Sequence, residues 1–147
     1  MMTKRLKGLN HLNNIAETRF NRFVLRDSGN SVTINPTRQC QKIKVDGELM
    51  EIQPQRCDWC VRDEIKGDCL FIELKGGHWL HGLSQIEYTI SWFRSQIPVF
   101  SLFKECYIIM CNHIPSNNTS VQKEKLRFAR TYKSQLILRH RGAEITF

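Results

Sequence analysis

The sequence of 147 residues contains no apolar run approaching the roughly 20 residues that a membrane-spanning helix requires. Its first residues, MMTKRLKGLNHLNN, include bases but no apolar segment behind them, so they do not have the form of a secretory signal. Internal repeats, low-complexity tracts and linkers are also absent from the sequence. We therefore expect a cytoplasmic protein that forms one domain over residues 1–147 and does not associate with membranes.

Six cysteines would indicate a disulfide framework only in a small secreted domain, and this chain is longer and has no export signal. We expect most of them to be reduced thiols. Four lie in or beside apolar, strand-like segments, where cysteine packs as a small buried hydrophobic residue. These four are Cys60, Cys69, Cys106 and Cys111.

Acidic residues are scarce outside one segment. The chain carries 22 Lys and Arg against 14 Asp and Glu, a net charge of +8, and eight of the 14 acids fall between Asp46 and Glu73. The first 26 residues have six bases and one acid, and the segment from Lys123 to Arg141 has seven bases and one acid. A basic shell around an acidic cluster favours a polyanion whose phosphates meet a metal held by the acids. The alternative is a solvated basic surface without a partner.

Hydrophobic periodicity predicts an α/β fold. Helices are predicted over residues 8–25, 79–96 and about 119–134, the first ending at the sequence DSGN of residues 27–30. Strands are predicted over 41–45 and 48–53, joined as a hairpin at Asp46-Gly47, and over 56–61, 69–75, 106–111 and 136–139. This order is typical of a mixed β-sheet covered by helices.

The stretch from Cys57 to His81 permits a zinc interpretation, because Cys57-x₂-Cys60 and His78-x₂-His81 supply four possible ligands. The histidine spacing departs from the His-x₃₋₅-His of zinc fingers. Residues three apart in a strand point to opposite faces, so we do not expect the two cysteines to reach one ion. A zinc-stabilised interaction domain is therefore the weakest of three functional hypotheses.

The carboxylates of the same stretch suggest a different site. If Asp63 and Asp68 close a four-residue loop, Asp58 lies directly across from Glu73 on neighbouring antiparallel strands. Opposed side chains on one face are roughly 4.5–5.5 Å apart at Cβ, and two carboxylates at that distance repel each other. A divalent cation removes the repulsion. Mg²⁺ commonly takes one or two carboxylates and leaves its other positions to water or phosphate.

Lys75 lies two residues beyond Glu73 and is therefore expected on the same face of the strand. Its ammonium group could orient an attacking water or neutralise charge that develops on a phosphate. Gly76 and Gly77 follow directly and would let a nucleic-acid backbone approach closely. The alternative is a surface hairpin in which Asp58, Glu73 and Lys75 form ordinary cross-strand contacts.

The pattern CDW(C)V…DCLFIELKGG…QIEYT resembles the PD-(D/E)xK nuclease superfamily, most strongly over residues 56–90. Asp58 matches the first acidic position, and Glu73 and Lys75 match the (D/E)xK pair. The resemblance implies a restriction-endonuclease-like core, a mixed sheet flanked by helices. It also implies a Mg²⁺ or Mn²⁺ cofactor and hydrolysis of phosphodiester bonds, in DNA for most members and in RNA for some.

The resemblance assigns roles to further residues. It implies that the backbone carbonyl of Leu74 joins Asp58 and Glu73 in holding the cation, while Lys75 positions or activates water for in-line attack. Gln85 resembles the glutamine that some branches place beside the metal. Because Gln85 lies in the helix that follows the strand, it could hydrogen-bond Glu73, a metal-bound water or the substrate.

Other positions fit the resemblance less closely. Glu17 could be the extra acid that some members carry on their first helix, and Cys57 stands where many members have proline. Individual members have lost catalysis. The second hypothesis is therefore a non-catalytic nucleic-acid-binding or assembly module on the same fold.

Basic residues outside the site could contact phosphates. Lys123, Arg127 and Arg130 line one face of the predicted last helix, although solvated helix faces show the same pattern. His78 and His81 flank the start of the preceding helix, where a phosphate contact or a position on the site rim is expected. The sequence has no base-reading motif. A chain this small could grip its nucleic acid as a homodimer or with a protein partner.

Overall fold

The computed structural model describes residues 4–27, 29–50, 56–75, 78–98, 103–111, 114–115 and 119–147, apart from the side chains of residues 4–7 and 75. These residues form three helices and nine strands. The helices are α1 (Lys4–Ile15), α2 (Trp79–Gln96) and α3 (Thr119–Tyr132). The strands are β1 (Glu17–Arg19), β2 (Phe23–Asp27), β3 (Asn30–Asn35), β4 (Cys40–Lys44), β5 (Trp59–Asp63), β6 (Cys69–Lys75), β7 (Phe103–Met110), β8 (Gln135–His140) and β9 (Ala143–Thr146).

The larger sheet has six strands in the order β1-β4-β5-β6-β7-β8. Neighbours from β1 to β6 are antiparallel, whereas β6, β7 and β8 are parallel to one another. Parallel neighbours need a crossover connection, and α2 and α3 supply the two that this sheet requires. The predicted order of helix, several strands, helix, strand, helix and strand is confirmed up to β8, with β9 added after it.

All three helices pack on one face of this sheet. Leu12 of α1 and Phe128 of α3 share a buried core with Phe71 of β6. The bounds predicted for α2 are confirmed, and its buried apolar residues recur at three- and four-residue spacing. These residues are Leu83, Ile86, Ile90 and Phe93. None of the three described helices is long and apolar enough to cross a membrane.

Residues 16–25 do not continue the first helix, as the periodicity predicted. α1 ends at Ile15, and β1 and β2 follow it. Apolar residues at positions 20 and 23 imitate helical spacing, but Phe20 is 64% exposed. Phe23 and Leu25 are instead buried on alternate positions of β2, which is the period of a strand.

The sequence DSGN, predicted to end a helix, instead connects β2 to β3. Asp27 pairs with Asn30 across the connection, and Gly29 has a φ of 78°, a conformation that favours glycine. Strand β9 runs parallel to β3, with Val32 opposite Ala143, and completes a second sheet in the order β2-β3-β9. Its two outer strands come from opposite ends of the chain.

The three-stranded sheet packs on the face of the larger sheet that lies opposite the helices. Leu25, Val32 and Ile34 share a buried core with Ile72 of β6 and Ile109 of β7. The prediction of a sheet covered by helices therefore holds for one face of the larger sheet, whereas its other face is covered in part by the small sheet. The fold is mixed α/β, with two mixed sheets.

Asp46-Gly47 does not join the predicted hairpin. Strand β4 ends at Lys44, and its neighbours in the sheet are β1 and β5 instead of the segment 48–53. The dipeptide does form a turn, with Gly47 at a φ of 84°. Residues 51–53 of the predicted second strand lie outside the described part of the chain.

All six cysteines are free thiols, as expected, and Cys111 alone among them is not fully buried. Burial raises the pKa values of the Cys57 and Cys60 thiols well above the ordinary value of a cysteine. Burial also raises the pKa of the Cys106 thiol to about 12. These thiols are therefore protonated at neutral pH and pack as small apolar groups.

Candidate active site

Strands β5 and β6 pair in the predicted register, with Trp59 opposite Ile72 and Cys60 opposite Phe71. Asp58 immediately precedes β5, and the same register carries it to Glu73. The two carboxyl groups lie close enough for Glu73 to affect the pKa of Asp58. A loop closed by Asp63 and Asp68 is enough to fix this register, and the backbone N–H of Asp63 donates to the carbonyl of Asp68 at 2.8 Å.

β5 begins at Trp59, and just before it the side chain of Asp58 makes a hydrogen bond to the backbone of β6. Asp58 Oδ2 accepts a hydrogen bond of 2.7 Å from the backbone N–H of Leu74. In a strand, the N–H and C=O of one residue point to the same neighbour. The carbonyl of Leu74 is therefore directed toward Asp58, the side on which the predicted cation site requires it.

Glu73 projects from the helix-covered face of β6 toward α2 and is 1% exposed. A Cβ atom at Gly82 of α2 would lie 3.3 Å from Glu73 Cγ and 3.3 Å from Ile108 Cγ2. Contacts this short require the neighbours to move. Glycine at position 82 thus allows α2 to pass directly over the carboxylate.

Burial raises the pKa of the Asp58 carboxyl to about 6. Hydrogen bonds with Glu73 and from the Leu74 N–H oppose this rise, and the nearby carboxylate of Asp27 adds to it. The raised pKa means that Asp58 takes up a proton more readily than an exposed aspartate does. A divalent cation would replace that proton.

Asp27, at the end of β2, is a site residue that sequence reasoning missed. It lies near enough to Asp58 to hydrogen-bond it and to raise its pKa. The motif gave no signal for this contact, because residue 27 was predicted to end a helix. Only the docking of the small sheet on the large one brings these two carboxyl groups together.

A cleft of about 240 Å³ opens beside Asp58, between β2 of the small sheet and strands β4 and β5 of the large one. Three carboxylates and two basic side chains contribute to it. The lining residues are Arg26, Asp27, Lys44, Asp46, Gly47, Asp58 and Trp59. Asp58 is the predicted site residue on this lining, and Glu73 lies behind it.

Lys75 ends β6, where its backbone pairs with Met110 of β7. Its side chain lies outside the described part of the structure, as do Gly76 and Gly77. The predicted position of the ammonium group beside Glu73, and the close approach of a nucleic-acid backbone at the glycines, therefore stay predictions.

Gln85 of α2 holds the segment that leads into Asp58. Its Nε2 donates to the backbone carbonyl of Arg56 at 3.2 Å. Its Oε1 is buried and has no hydrogen-bond partner among the described residues. The predicted link from Gln85 to the site thus runs through the backbone at residue 56 instead of through Glu73.

Glu17 does not reach the site. It lies on β1 instead of a helix, is exposed, and is ion-paired with Arg19. Its partner in β4 is Lys42, which in turn lies opposite Val61 of β5. Glu17 is therefore two strands away from β5, on the level of Val61, and the structure does not place it beside Asp58.

The four residues of the zinc interpretation do not come together. Cys57 and Cys60 are buried in one core, whereas His78 and His81 are exposed at the start of α2. The expectation that the cysteines point to opposite faces is wrong, because Cys57 precedes the regular strand. Within the described ranges, no group of three or more His, Cys, Asp and Glu is arranged to hold a metal ion.

The predicted basic face of α3 is partly occupied. Arg127 contacts Glu87 of α2 at 2.6 Å and Glu124 at 2.8 Å. The hydrogen bonds and charges of these two acids raise the pKa of Arg127. This arginine therefore ties α3 to α2, while Lys123 and Arg130 remain exposed.

The donors around Asp58 suit a hard divalent cation. Asp58, Glu73 and the carbonyl of Leu74 offer oxygen atoms only, and Mg²⁺ needs no more than one or two carboxylates from a protein. They would supply part of the coordination sphere of such a cation, and water or substrate would complete it. No family model, curated protein or solved structure matches the chain, so its function has to be inferred from the site itself.

Proposed function

We propose that the protein is a metal-dependent nuclease of the PD-(D/E)xK type that hydrolyses phosphodiester bonds in DNA. One observation carries the proposal: the buried carboxyl groups of Asp58 and Glu73 meet through the hairpin register that the motif requires. The element order agrees with a restriction-endonuclease-like core, since β4, β5 and β6 are antiparallel and α2 then crosses to the parallel β7.

Asp58, Glu73 and the carbonyl of Leu74 would hold Mg²⁺ or Mn²⁺. When bound, the cation supplies a water of lowered pKa and stabilises negative charge on the phosphate. Burial of Glu73 excludes bulk water behind the cation, which strengthens each charge interaction at the site. Because a carboxyl group binds a cation in its ionised form, and the pKa of Asp58 is raised to about 6, we expect metal affinity to increase with pH through the region of pH 6.

Lys75 would act on the substrate side of the cation. Its position two residues after Glu73 suits an ammonium group that donates to the attacking water or to a non-bridging phosphate oxygen. Gln85 would act indirectly, since its hydrogen bond to Arg56 fixes the segment that places Asp58. We therefore expect Gln85 substitutions to weaken metal binding less than Glu73 substitutions.

The test is a cleavage assay with Mg²⁺ or Mn²⁺ on linear, nicked, branched and single-stranded DNA and on RNA. Glu73→Gln and Lys75→Ala are each expected to reduce the cleavage rate at least about 100-fold, as removal of a charge-stabilising group commonly does. Asp63→Asn and Lys104→Ala are matched controls. They remove the same charges from the far end of the β5–β6 hairpin and from its parallel neighbour, and should cleave like the wild type.

The same burial favours a second candidate, a nucleic-acid-binding module without turnover. Asp58 is 7% exposed and Glu73 1%, which leaves the carboxylates little access to substrate. Calorimetric titration with Mg²⁺ or Mn²⁺ separates the candidates. A nuclease binds the cation, and its Glu73→Gln variant loses that binding. If the wild type neither binds metal nor cleaves, the result supports the nucleic-acid-binding module. Undiminished cleavage in both site variants would refute the site assignment.

A further inference from the structure

The face of the large sheet opposite the helices is only partly covered by the small sheet. The small sheet packs over β6 and β7, through contacts such as Val32 with the core around Ile72 and Ile109. Next to it, β4 and β5 present Lys42, Lys44 and Trp59. These side chains share one face because Ile43, between the two lysines, is buried on the helix side.

Trp59 brings the two lysines together. The Nζ atom of Lys42 lies 4.9 Å from the centre of the indole ring, and that of Lys44 lies 6.0 Å from it. Cation–π contacts of this kind leave the ammonium hydrogens available to other acceptors. The two lysines are two residues apart, roughly 7 Å along the strand, so they can contact separate phosphates of one chain.

Arg26 supplies a further positive charge from the opposite wall of the cleft. None of the ion pairs among the described residues involves Arg26, Lys42 or Lys44. Arg127, by contrast, is held by two acids on the helical side. The charges beside the cleft are therefore available to a ligand, and those predicted on α3 are in part already neutralised.

The carboxylates of the cleft oppose an anionic ligand less than their number suggests. Asp46 is ion-paired with Arg56. Asp58 is only 7% exposed and therefore lies deeper in the cleft than the basic groups. The remaining charge balance is positive at the rim and negative at the floor, where Asp58 lies. The rim would therefore hold a phosphate chain beside Asp58, where the proposed cation site lies.

We propose that Arg26, Lys42, Lys44 and Trp59 form a surface that binds one strand of single-stranded nucleic acid and leads it past Asp58. The cleft of about 240 Å³ has room for part of a single strand, whereas a duplex would have to lie across its mouth. Basic groups along a groove with an aromatic ring are the usual elements of such binding. The nucleic-acid identity of the polymer rests on the proposed function; the phosphate contacts do not.

The experiment measures fluorescence anisotropy of a short labelled single-stranded oligodeoxynucleotide in EDTA, between about 50 and about 200 mM salt. Lys42→Ala/Lys44→Ala is expected to lower affinity about 10-fold or more. It should also reduce the slope of log K against log salt by about 1.4, and Arg26→Ala should reduce it by about 0.7. Lys123→Ala/Arg130→Ala removes the same charge from α3, the competing basic surface that the sequence suggests, and the proposal requires this variant to lose less affinity than the cleft variant.

Equal losses in the cleft and α3 double variants would mean that net charge alone controls binding, and would overturn the proposal. A loss confined to the α3 variant, or stronger competition by an unlabelled duplex than by the unlabelled single strand, would overturn it too. The EDTA assay is independent of turnover. If the cleft variants lose binding and the wild type shows no metal-dependent cleavage, the proposed binding surface is supported and the proposed nuclease activity is refuted.

Discussion

The two ends of the β5–β6 hairpin treat their carboxylates in opposite ways. At the loop end, Asp63 Oδ1 accepts hydrogen bonds from the N–H groups of Ile65 at 2.8 Å and Lys66 at 3.0 Å, and Arg38 lies 3.1 Å from its other oxygen. At the open end, Asp58 meets two further carboxyl groups and one backbone N–H. One pair of strands thus carries both a satisfied acid and a crowded one.

The pKa values follow this difference. Burial opposes ionisation of Asp63, but the Lys66 and Ile65 N–H groups and the Arg38 charge outweigh it and lower the pKa. Burial of Asp58 is not outweighed, and its pKa rises to about 6. A carboxylate that accepts enough hydrogen bonds stabilises the fold, whereas a carboxylate close to other acids is destabilised unless a positive charge is bound nearby. This need for a positive charge distinguishes Asp58 at the open end from Asp63 at the loop end.

The largest effect that tests this comparison is on stability at the loop end. Asp63→Ala leaves two backbone N–H groups and Arg38 without their acceptor, and should lower the free energy of unfolding by about 2–3 kcal/mol. Asp63→Asn keeps one acceptor oxygen and should lose less than half as much. Urea denaturation at pH 7 measures both, and equal losses would contradict the role given to the turn hydrogen bonds.

The next effect concerns the open end and its dependence on pH. Because the folded state raises the pKa of Asp58, it binds this proton more tightly than the unfolded chain. The stabilisation is therefore complete below the ordinary pKa of 3.8 and is lost as pH rises through about 6. Asp58→Asn does not titrate, so relative to wild type it should gain on the order of 2 kcal/mol between pH 4 and pH 7.5.

The control for this pH dependence is Asp63→Asn. The lowered pKa of Asp63 makes its contribution complete above pH 3.8, so the difference from wild type should stay constant between pH 4 and pH 7.5. Chemical denaturation at both pH values gives the two differences. If the Asp58→Asn curve ran parallel to that of the wild type, the crowding of carboxyl groups at the open end would be refuted.

The smallest effect is expected from the ion pair beside the loop. Lys104 contacts Asp68 at 3.2 Å, but its side chain is 64% exposed. Lys104→Ala should therefore change the free energy of unfolding by less than about 0.5 kcal/mol, and the change should disappear at high salt. A larger or salt-independent loss in thermal denaturation would show that the loop end depends on surface charge as well as on backbone hydrogen bonds.

The sequence predicts the parts of the fold that local spacing controls. The four-residue loop set the register of β5 and β6, and the three- and four-residue period gave the bounds and core face of α2. The contact of Asp58 with Glu73 follows from these local rules. Because each depends only on neighbours along the chain, one sequence was enough to find them.

The errors have two causes, a turn that was taken for a helix end and pairing between distant segments. Phe20 and Phe23 matched a helical period, yet residues 27–30 turn the chain so that β2 pairs with β3, which in turn pairs with β9 near residue 143. Asp46-Gly47 is a good turn, yet β4 pairs with β5 instead of the residues just after the turn. The presence of Asp27 beside Asp58 has the same origin, since it depends on one sheet docking on another.

Gly82 has a consequence for any attempt to make this protein more heat-resistant. Glycine inside a helix costs about 1 kcal/mol relative to alanine, so position 82 is an obvious candidate for a stabilising replacement. A methyl group there would sit 3.3 Å from Glu73 Cγ and press on the one acid that α2 shelters. Gly82 thus lowers the helix propensity of α2 but leaves space for the Glu73 side chain. A more stable variant with alanine at this position would require Glu73 to shift.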